Sequence, residues 1–234
     1  MRATLNFAPV LGDSRPSCLL PTGVVLPGSL IGIGHNYRDT EEREPRSNDR
    51  IPLIFGKFAN SVIGNGAPIV VSDALSDDVV CEGELALVIG TTVRAVDSER
   101  VALHALAGVC LANDVSARDL QAADGQSTRG KSLDTFCPLG PELVALEEIP
   151  NLSALELTTR IDDEIVQRAR VAQMWFSPAE LIMFCSEFMT LYPGDVILTG
   201  TPAAPDDRLR IRPGQTVEVS APGLGTLRNP VVAG

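Results

Sequence analysis

The chain has 234 residues, with 30 acidic against 19 basic side chains and a formal net charge of -11. Apolar residues make up 44% and charged residues 21%, a composition typical of folded rather than disordered proteins. The acidic excess argues against a nucleic-acid partner and against binding to an anionic membrane surface, because both need basic patches. It permits binding of a hard cation such as Mg²⁺, which takes oxygen ligands.

The N-terminal segment, residues 1–28, is rich in Pro and Gly and predicts a short irregular arm. We expect no secretory signal, because Asn6 and Pro9 interrupt its apolar stretch. No apolar run approaches the roughly 18 residues of a membrane helix. The five cysteines are widely spaced without a Cys-x-x-Cys pair, which predicts reduced, buried thiols and a cytoplasmic protein. Residues 29–234 show no internal repeat or linker and predict one domain.

Short apolar runs separated by turn signals predict a mainly β protein with few helices. Residues 38–50 contain no strongly apolar side chain and predict a surface loop or a lid. The segment Ser177-Pro178-Ala179-Glu180 is a capping box that begins a helix, and Asp97 or Ser98 can cap a shorter one through His104. The predicted strands are Leu30–Gly34, Leu53–Lys57, Ile69–Val71, Glu82–Ile89, Gly108–Asn113, Leu155–Ile161, Asp195–Thr199, Thr216–Ser220 and Leu227–Val232.

Acidic side chains stand out on the predicted strand 82–89. Alternation places Glu82 and Glu84 on one face, about 7 Å apart at the backbone, with leucines on the other face. Asp114 follows another apolar run and can face the same space. Like charges in a partly buried site repel, and a divalent cation is the usual remedy. Spacing alone leaves two interpretations: a Mg²⁺ or Mn²⁺ site, or a half-exposed strand with surface glutamates.

A phosphate-binding pattern, G-x-x-x-x-G-K-S/T, is matched by residues 125–132. It binds nucleotides only where it follows a strand and opens a helix. No strand pattern precedes it here, and Pro138 and Pro141 follow within ten residues, which leaves no room for a long helix. We therefore reject the nucleotide interpretation.

Ordered motifs from about Leu30 to Val232 resemble the fumarylacetoacetate hydrolase superfamily. The matching segments are Gly34-x-Asn36-Tyr37-Arg38-Asp39, Phe55-x-Lys57, Ser61-Val62-Ile63-Gly64, Glu82-Gly-Glu84-Leu85, Asn113-Asp114-Val-Ser116-Ala-Arg118-Asp119-Leu120-Gln121, Gly130-Lys131-Ser132, Pro193-Gly194-Asp195 and Leu198-Thr-Gly-Thr201-Pro202. The resemblance implies a mixed β-sandwich roll over residues 29–234, a homodimer, and a small anionic 2-oxo acid or related dicarbonyl as substrate.

The resemblance also implies roles for individual residues. The Mg²⁺ or Mn²⁺ ligands are Glu82, Glu84 and Asp114, and the ion acts as a Lewis acid that stabilises an enolate. Lys131 matches the family's active-site lysine, which holds or protonates that enolate. Further positions match the family's substrate pocket, namely Lys57, Arg118, Gln121 and Thr201.

The chain departs from the hydrolytic members of the superfamily in the lid. Those members carry a His and a Glu three residues apart that activate water, and here these positions are Thr40 and Arg43. Glu42 is our first choice for a replacement base, ahead of Glu41 and Glu44. Isomerisation or decarboxylation needs no activated water and is the favoured prediction. The alternatives are a C–C hydrolase of acylpyruvate or fumarylacetoacetate type, and a metal-dependent ligand-binding protein with reduced catalysis.

Overall fold

The computed structural model describes residues 1–7, 17–23, 25–38, 47, 49–204 and 206–234. The strands within these ranges are β1 (Arg2–Thr4), β2 (Cys18–Leu19), β3 (Val25–Leu26), β4 (Leu30–Gly34), β5 (Leu53–Lys57), β6 (Val62–Ile63), β7 (Ile69–Val71), β8 (Val79–Val80), β9 (Gly83–Ile89), β10 (Leu106–Asn113), β11 (Ser116–Ala117), β12 (Cys137–Val144), β13 (Glu156–Ile161), β14 (Glu164–Arg170), β15 (Val196–Leu198), β16 (Thr216–Ala221) and β17 (Gly225–Ala233). The helices are α1 (Glu99–His104), α2 (Arg118–Asp124), α3 (Thr128–Lys131), α4 (Pro178–Phe188) and α5 (Asp206–Leu209), and 3-10 turns cover Ala59–Ser61, Leu146–Glu148 and Val171–Gln173.

Two larger sheets form the frame. The first has the order β1-β12-β10-β9-β15-β4-β5, with β6 paired to β12, and the second has the order β14-β13-β16-β17-β7. The first sheet is mixed, because β15 pairs parallel with β4 and antiparallel with β9. The predicted mainly β fold with mixed sheets is confirmed.

Strand β9 lies at the centre of the packing. Leu85, Leu87 and Ile89 pack on one side with residues of α4 and of the second sheet. Ala86 and Val88 pack on the other side with N-terminal residues. Because both faces of β9 are covered by apolar side chains, the strand is a rigid support for the acidic residues at its beginning.

The N-terminal arm is more regular than its composition predicts. Strand β1 pairs with β12 and forms an edge of the first sheet, and β2 and β3 form a hairpin. Leu5, Leu20 and Leu26 are buried in the cluster that covers one face of β9. Pro and Gly around these very short strands hide them in the sequence, because such residues usually mark turns.

The helix predicted from the capping box is present. The Ser177 hydroxyl accepts from the Glu180 N–H at 3.2 Å, and the Glu180 carboxylate accepts from the Ser177 N–H at 2.8 Å. Helix α4 runs from this cap to Phe188, and α1 ends at His104 as predicted. None of the described helices has the length and apolar character needed to cross a membrane.

Candidate active site

The site forms where β9 begins and β10 ends. These strands are antiparallel, with Asn113 opposite Gly83. The Glu82 N–H donates to the Asn113 side-chain oxygen at 2.9 Å, and the Asp114 N–H donates to the Glu82 carbonyl at 2.8 Å. This pairing brings the three acidic residues together, and one carboxylate oxygen each from Glu82, Glu84 and Asp114 lie within 4.8 Å of one another.

Glu84 is buried at the base of this cluster. Its carboxylate accepts from the Gly200 N–H at 2.7 Å. Gly200 has φ +94°, and a Cβ at this position would lie 2.8 Å from the Asn36 Cβ, so only glycine fits the contact. Burial raises the pKa of the Glu84 carboxyl well above its ordinary value, and the charge of Asp114 raises it further.

Lys131, at the end of α3, is the counter-ion of the acidic cluster. Its Nζ lies 2.6 Å from Glu82 Oε2 and 2.5 Å from Asp114 Oδ2. Burial would lower the pKa of Lys131, but the charges of Asp114 and Glu82 outweigh it and raise the pKa above its ordinary value. The side chain therefore carries its proton at neutral pH. Gly130 lets the short helix α3 lie close to the start of α2. A Cβ at Gly130 would lie 2.5 Å from the Ala117 carbonyl oxygen, so a larger residue there would keep α3 away from the cluster.

Lys57 lies behind Asp114 and is not among the described residues that line the cavity. Its Nζ donates to Asp114 Oδ1 at 2.6 Å and to the Phe136 carbonyl at 3.0 Å. Burial alone would raise the pKa of the Asp114 carboxyl, but the ammonium groups of Lys131 and Lys57 hold it below its ordinary value. A contact between Lys57 and substrate remains a prediction, while its contact with Asp114 is a feature of the fold.

A cavity of about 500 Å³ opens above the acidic cluster. Of the predicted substrate residues, Arg118, Gln121 and Thr201 line it. Arg118 also lies 3.5 Å from Glu82 Oε1. The Thr201 hydroxyl donates to the Gly83 carbonyl at 3.0 Å and accepts from Gln167 at 2.7 Å, so its proton is already engaged.

Three further residues that line the cavity, Tyr37, Arg50 and Trp175, were not predicted as site residues. Tyr37 and Trp175 are largely buried, and Arg50 lies with its guanidinium 4.1 Å from the centre of the Trp175 ring. Arg38 contacts the same ring at 5.0 Å. The sequence gives only weak signals for them: Tyr37 belongs to the Gly34–Asp39 motif, and Trp175 is the single tryptophan of the chain.

Residues 29–232 match the family model described as Fumarylacetoacetate (FAA) hydrolase C-terminal. The chain belongs to this family. The resemblance inferred from the motifs is therefore confirmed, and the fold is that of a fumarylacetoacetate hydrolase superfamily enzyme.

Relatives in this superfamily include proteins named for different reactions. The mitochondrial oxaloacetate tautomerase FAHD2A of Homo sapiens is 37% identical over 237 residues, which cover 99% of this chain and 74% of the relative. A 5-carboxymethyl-2-hydroxymuconate delta-isomerase structure from Mycobacterium smegmatis is 35% identical, with a TM-score of 0.85 and coverage of 100% and 99%. The fumarylacetoacetate hydrolase structure from psychrophilic Exiguobacterium antarcticum is 33% identical, with a TM-score of 0.84 and coverage of 96% and 80%.

The donors of this superfamily member fit a hard divalent cation. Three carboxylates supply oxygen atoms only, the ligand type that Mg²⁺ and Mn²⁺ prefer. The Lys131 ammonium lies between two of them, so the space between these oxygens already accommodates a positive charge. None of the described residues hydrogen-bonds the Tyr37 hydroxyl, which is buried beside the cavity, so a polar group in the cavity could satisfy it.

The predicted lid base lies outside the described residues. Glu42 falls in the segment 39–46, as do Thr40 and Arg43 at the positions of the superfamily's water-activating pair. Their proposed roles therefore rest on the sequence alone.

Proposed function

We propose that this chain is a Mg²⁺- or Mn²⁺-dependent enzyme that interconverts tautomers or double-bond isomers of an anionic 2-oxo or 2-hydroxy-dienoic acid. The observation that carries this proposal is the cluster of Glu82, Glu84 and Asp114 at the base of a cavity, with the Lys131 ammonium among them. These three residues would hold the ion. Decarboxylation passes through the same type of enolate and belongs to the same proposal.

A cation at this position supplies Lewis-acid stabilisation of negative charge on a substrate oxygen. The protein contributes the proton. Lys131 is protonated at neutral pH and can donate its Nζ proton to the enolate carbon or oxygen, and the neutral amine that remains takes up the proton that the substrate releases. The Tyr37 hydroxyl, which has no hydrogen-bond partner within the described part of the chain, offers a second donor to a bound oxygen.

The choice of reaction rests on water activation. Isomerisation moves a proton within the substrate, whereas hydrolysis needs a base that deprotonates water. The two superfamily positions for that base are Thr40 and Arg43 in this chain. Relatives named as an oxaloacetate tautomerase and a hydroxymuconate isomerase support the same choice.

The test is a substrate panel with Mg²⁺ or Mn²⁺, with and without chelator. We expect the enol absorbance of freshly dissolved oxaloacetate, or of a 2-hydroxy-dienoic diacid, to decay faster with enzyme. The acceleration should disappear with EDTA and with Glu84→Gln or Lys131→Met. Water-dependent cleavage of an acylpyruvate that is lost with Glu42→Ala would instead establish the hydrolase. Metal binding without turnover of any 2-oxo acid would establish a ligand-binding protein.

We also propose that the chain forms a homodimer, as the superfamily resemblance implies. Sedimentation velocity at micromolar concentration tests this directly. A single species with the mass of one 24.8 kDa chain would contradict it.

A further inference from the structure

Gln167 is a buried amide on β14, in the second sheet. The residue is 4% exposed, and a buried polar group costs stability unless it is hydrogen-bonded. Its Oε1 accepts from the Gly83 N–H at 3.1 Å. Its Nε2 donates to the Thr201 hydroxyl oxygen at 2.7 Å and to the Pro202 carbonyl at 2.8 Å. Because the Gly83 N–H can only donate and the Pro202 carbonyl can only accept, these partners fix the orientation of the amide.

A β-bulge turns Gln167 toward the first sheet. Thr159 of β13 pairs with Gln167, and Arg160 pairs with Ile165, so β14 has one residue more than β13 at this point. The consecutive residues Val166 and Gln167 are both buried, whereas regular alternation would turn one of them to solvent. Bulges of this kind re-aim side chains and are common beside active sites. Here the bulge places an amide between the two sheets.

Gly83 is the point at which the second sheet contacts β9 behind the acidic cluster. A Cβ at Gly83 would lie 2.0 Å from the Thr159 hydroxyl oxygen, so the missing side chain allows this close approach. Glu82 and Glu84 flank Gly83 and line the cavity. Since successive residues of a strand point to opposite faces, Gly83 faces the second sheet while the two glutamates face away from it. A contact to the Gly83 backbone therefore acts on both glutamates from behind.

Side chains replace a strand partner at Gly83. The ladder between β15 and β9 ends at Ala86. Beyond that point Gln167 binds the Gly83 N–H, and the Thr201 hydroxyl donates to the Gly83 carbonyl at 3.0 Å. Gln167 also donates to that hydroxyl oxygen, which leaves the hydroxyl proton for the Gly83 carbonyl. The peptide units on both sides of Gly83 are thus held by one connected set of hydrogen bonds.

We infer that Gln167 is a positioning residue that sets the spacing of the Glu82 and Glu84 carboxylates through the Gly83 backbone. It is not among the described residues that line the cavity. The inference rests on the proposed function in that it takes the acidic cluster as the metal site. Mg²⁺ demands near-ideal octahedral geometry, so a displaced carboxylate weakens its binding. Residues that orient metal ligands typically change metal affinity by about 10- to 100-fold when they are replaced.

Calorimetric titration of the metal-free protein with Mg²⁺ tests this inference. Gln167→Met keeps the length of the side chain and removes all three hydrogen bonds, and we expect its Kd for Mg²⁺ to rise by about 10- to 100-fold. The matched control is Asn229→Leu. Asn229 is 1% exposed and donates to the Gly64 carbonyl at 2.9 Å and to the Ala67 carbonyl at 2.8 Å. This control should lose stability in denaturant unfolding but keep its Kd for Mg²⁺ within about twofold.

A milder variant covers the case in which Gln167→Met does not fold. Gln167→Asn keeps the amide but is one methylene too short to reach the Gly83 N–H, and it should raise the Kd for Mg²⁺ by about 10-fold. A Kd within about twofold of the wild type in the folded Gln167 variants would overturn the inference. An equal loss of Mg²⁺ affinity in Asn229→Leu would overturn it too, because general destabilisation would then explain both results.

The outcome for the reaction is separate. If Mg²⁺ affinity depends on Gln167 but the wild type turns over no enol or dienoic diacid, the proposed reaction fails and the positioning role stands. If turnover is metal-dependent and Gln167→Met binds Mg²⁺ as tightly as the wild type, the role of Gln167 fails and the proposed reaction stands. A wild type that binds neither Mg²⁺ nor Mn²⁺ would overturn both.

Discussion

Replacing Lys57 by methionine removes the buried ammonium behind Asp114. The Lys57 side chain is fully buried, and its Nζ lies 2.6 Å from Asp114 Oδ1. Removing one partner of a buried ion pair costs about 3–5 kcal/mol, because the remaining charge loses its compensation. Lys131 still contacts the other Asp114 oxygen at 2.5 Å, which favours the lower end of that range. At about 2–4 °C per kcal/mol for a domain of this size, a loss of about 3 kcal/mol lowers the melting temperature by about 6–12 °C.

Denaturant unfolding of the metal-free protein measures this loss. A double-mutant cycle with Lys57→Met, Asp114→Asn and the double variant isolates the interaction energy of this pair. We expect the double variant to lose about 2 kcal/mol less free energy of unfolding than the sum of the two single variants. The control is Arg210→Met at the exposed Arg210–Asp78 pair, which has a similar distance of 2.8 Å. Exposed pairs contribute below about 1 kcal/mol. Additive single effects, or a Lys57 loss no larger than that of the control, would refute the reasoning.

Four other predictions follow from the described contacts. Mg²⁺ at 100 times its Kd should raise the unfolding free energy by about 2.7 kcal/mol, a gain that Glu84→Gln should abolish in scanning calorimetry. Without metal, the raised pKa of Glu84 stabilises the fold fully below its unfolded pKa of about 4.3, and this contribution is lost as pH rises through the folded pKa. Denaturant unfolding across pH should therefore show the wild type losing stability relative to Glu84→Gln as pH rises, and a constant difference would contradict this. Gly83→Ala places a Cβ 2.0 Å from the Thr159 hydroxyl oxygen and should cost about 1–3 kcal/mol, relieved in a Thr159→Ala background. The cysteines are buried, and burial raises the pKa of Cys81 and Cys110 to about 12, so a thiol reagent at pH 8 should label the native protein far more slowly than the unfolded chain.

The strands that could be predicted are those whose apolar runs end in clear turn signals. The predicted bounds Leu30–Gly34, Leu53–Lys57 and Ile69–Val71 coincide with β4, β5 and β7. Strand β12 escaped prediction because it contains Pro138 and Pro141, which normally interrupt a ladder. It pairs with β10 across a register shift, where the regular ladder is already broken.

Strand β14 escaped for a different reason. Its sequence, EIVQRAR, alternates polar and apolar side chains over only a few residues, and three of its seven residues are exposed. Asp162 and Asp163 form the turn between β13 and β14, which pair as a hairpin. What the sequence lacks is a continuous apolar run, because only one face of this edge strand meets the core.

In the candidate site too, some features follow from the local sequence and others depend on contacts between residues far apart in the chain. Spacing places Glu82 and Glu84 on one face of a strand, and an apolar run brings Asp114 to the end of its neighbour. The contact between Lys57 and Asp114 joins residues 57 positions apart, and that between Arg50 and Trp175 joins residues 125 positions apart. Neither partner's local pattern indicates the other, so these contacts follow only from the packing of the two sheets.

The charge that a ligand meets is set by the cavity rather than by the whole chain. The charges of surface carboxylates that lie more than about 8 Å from the cavity are largely screened at physiological ionic strength. The described residues that line the cavity include three carboxyl groups and three Lys or Arg side chains, namely Glu82, Glu84, Asp114, Arg50, Arg118 and Lys131. Lys57 adds a positive charge behind Asp114, and a divalent cation would add two more. With the cation bound, an anionic substrate would therefore enter a locally positive site, although the chain as a whole has a formal charge of -11.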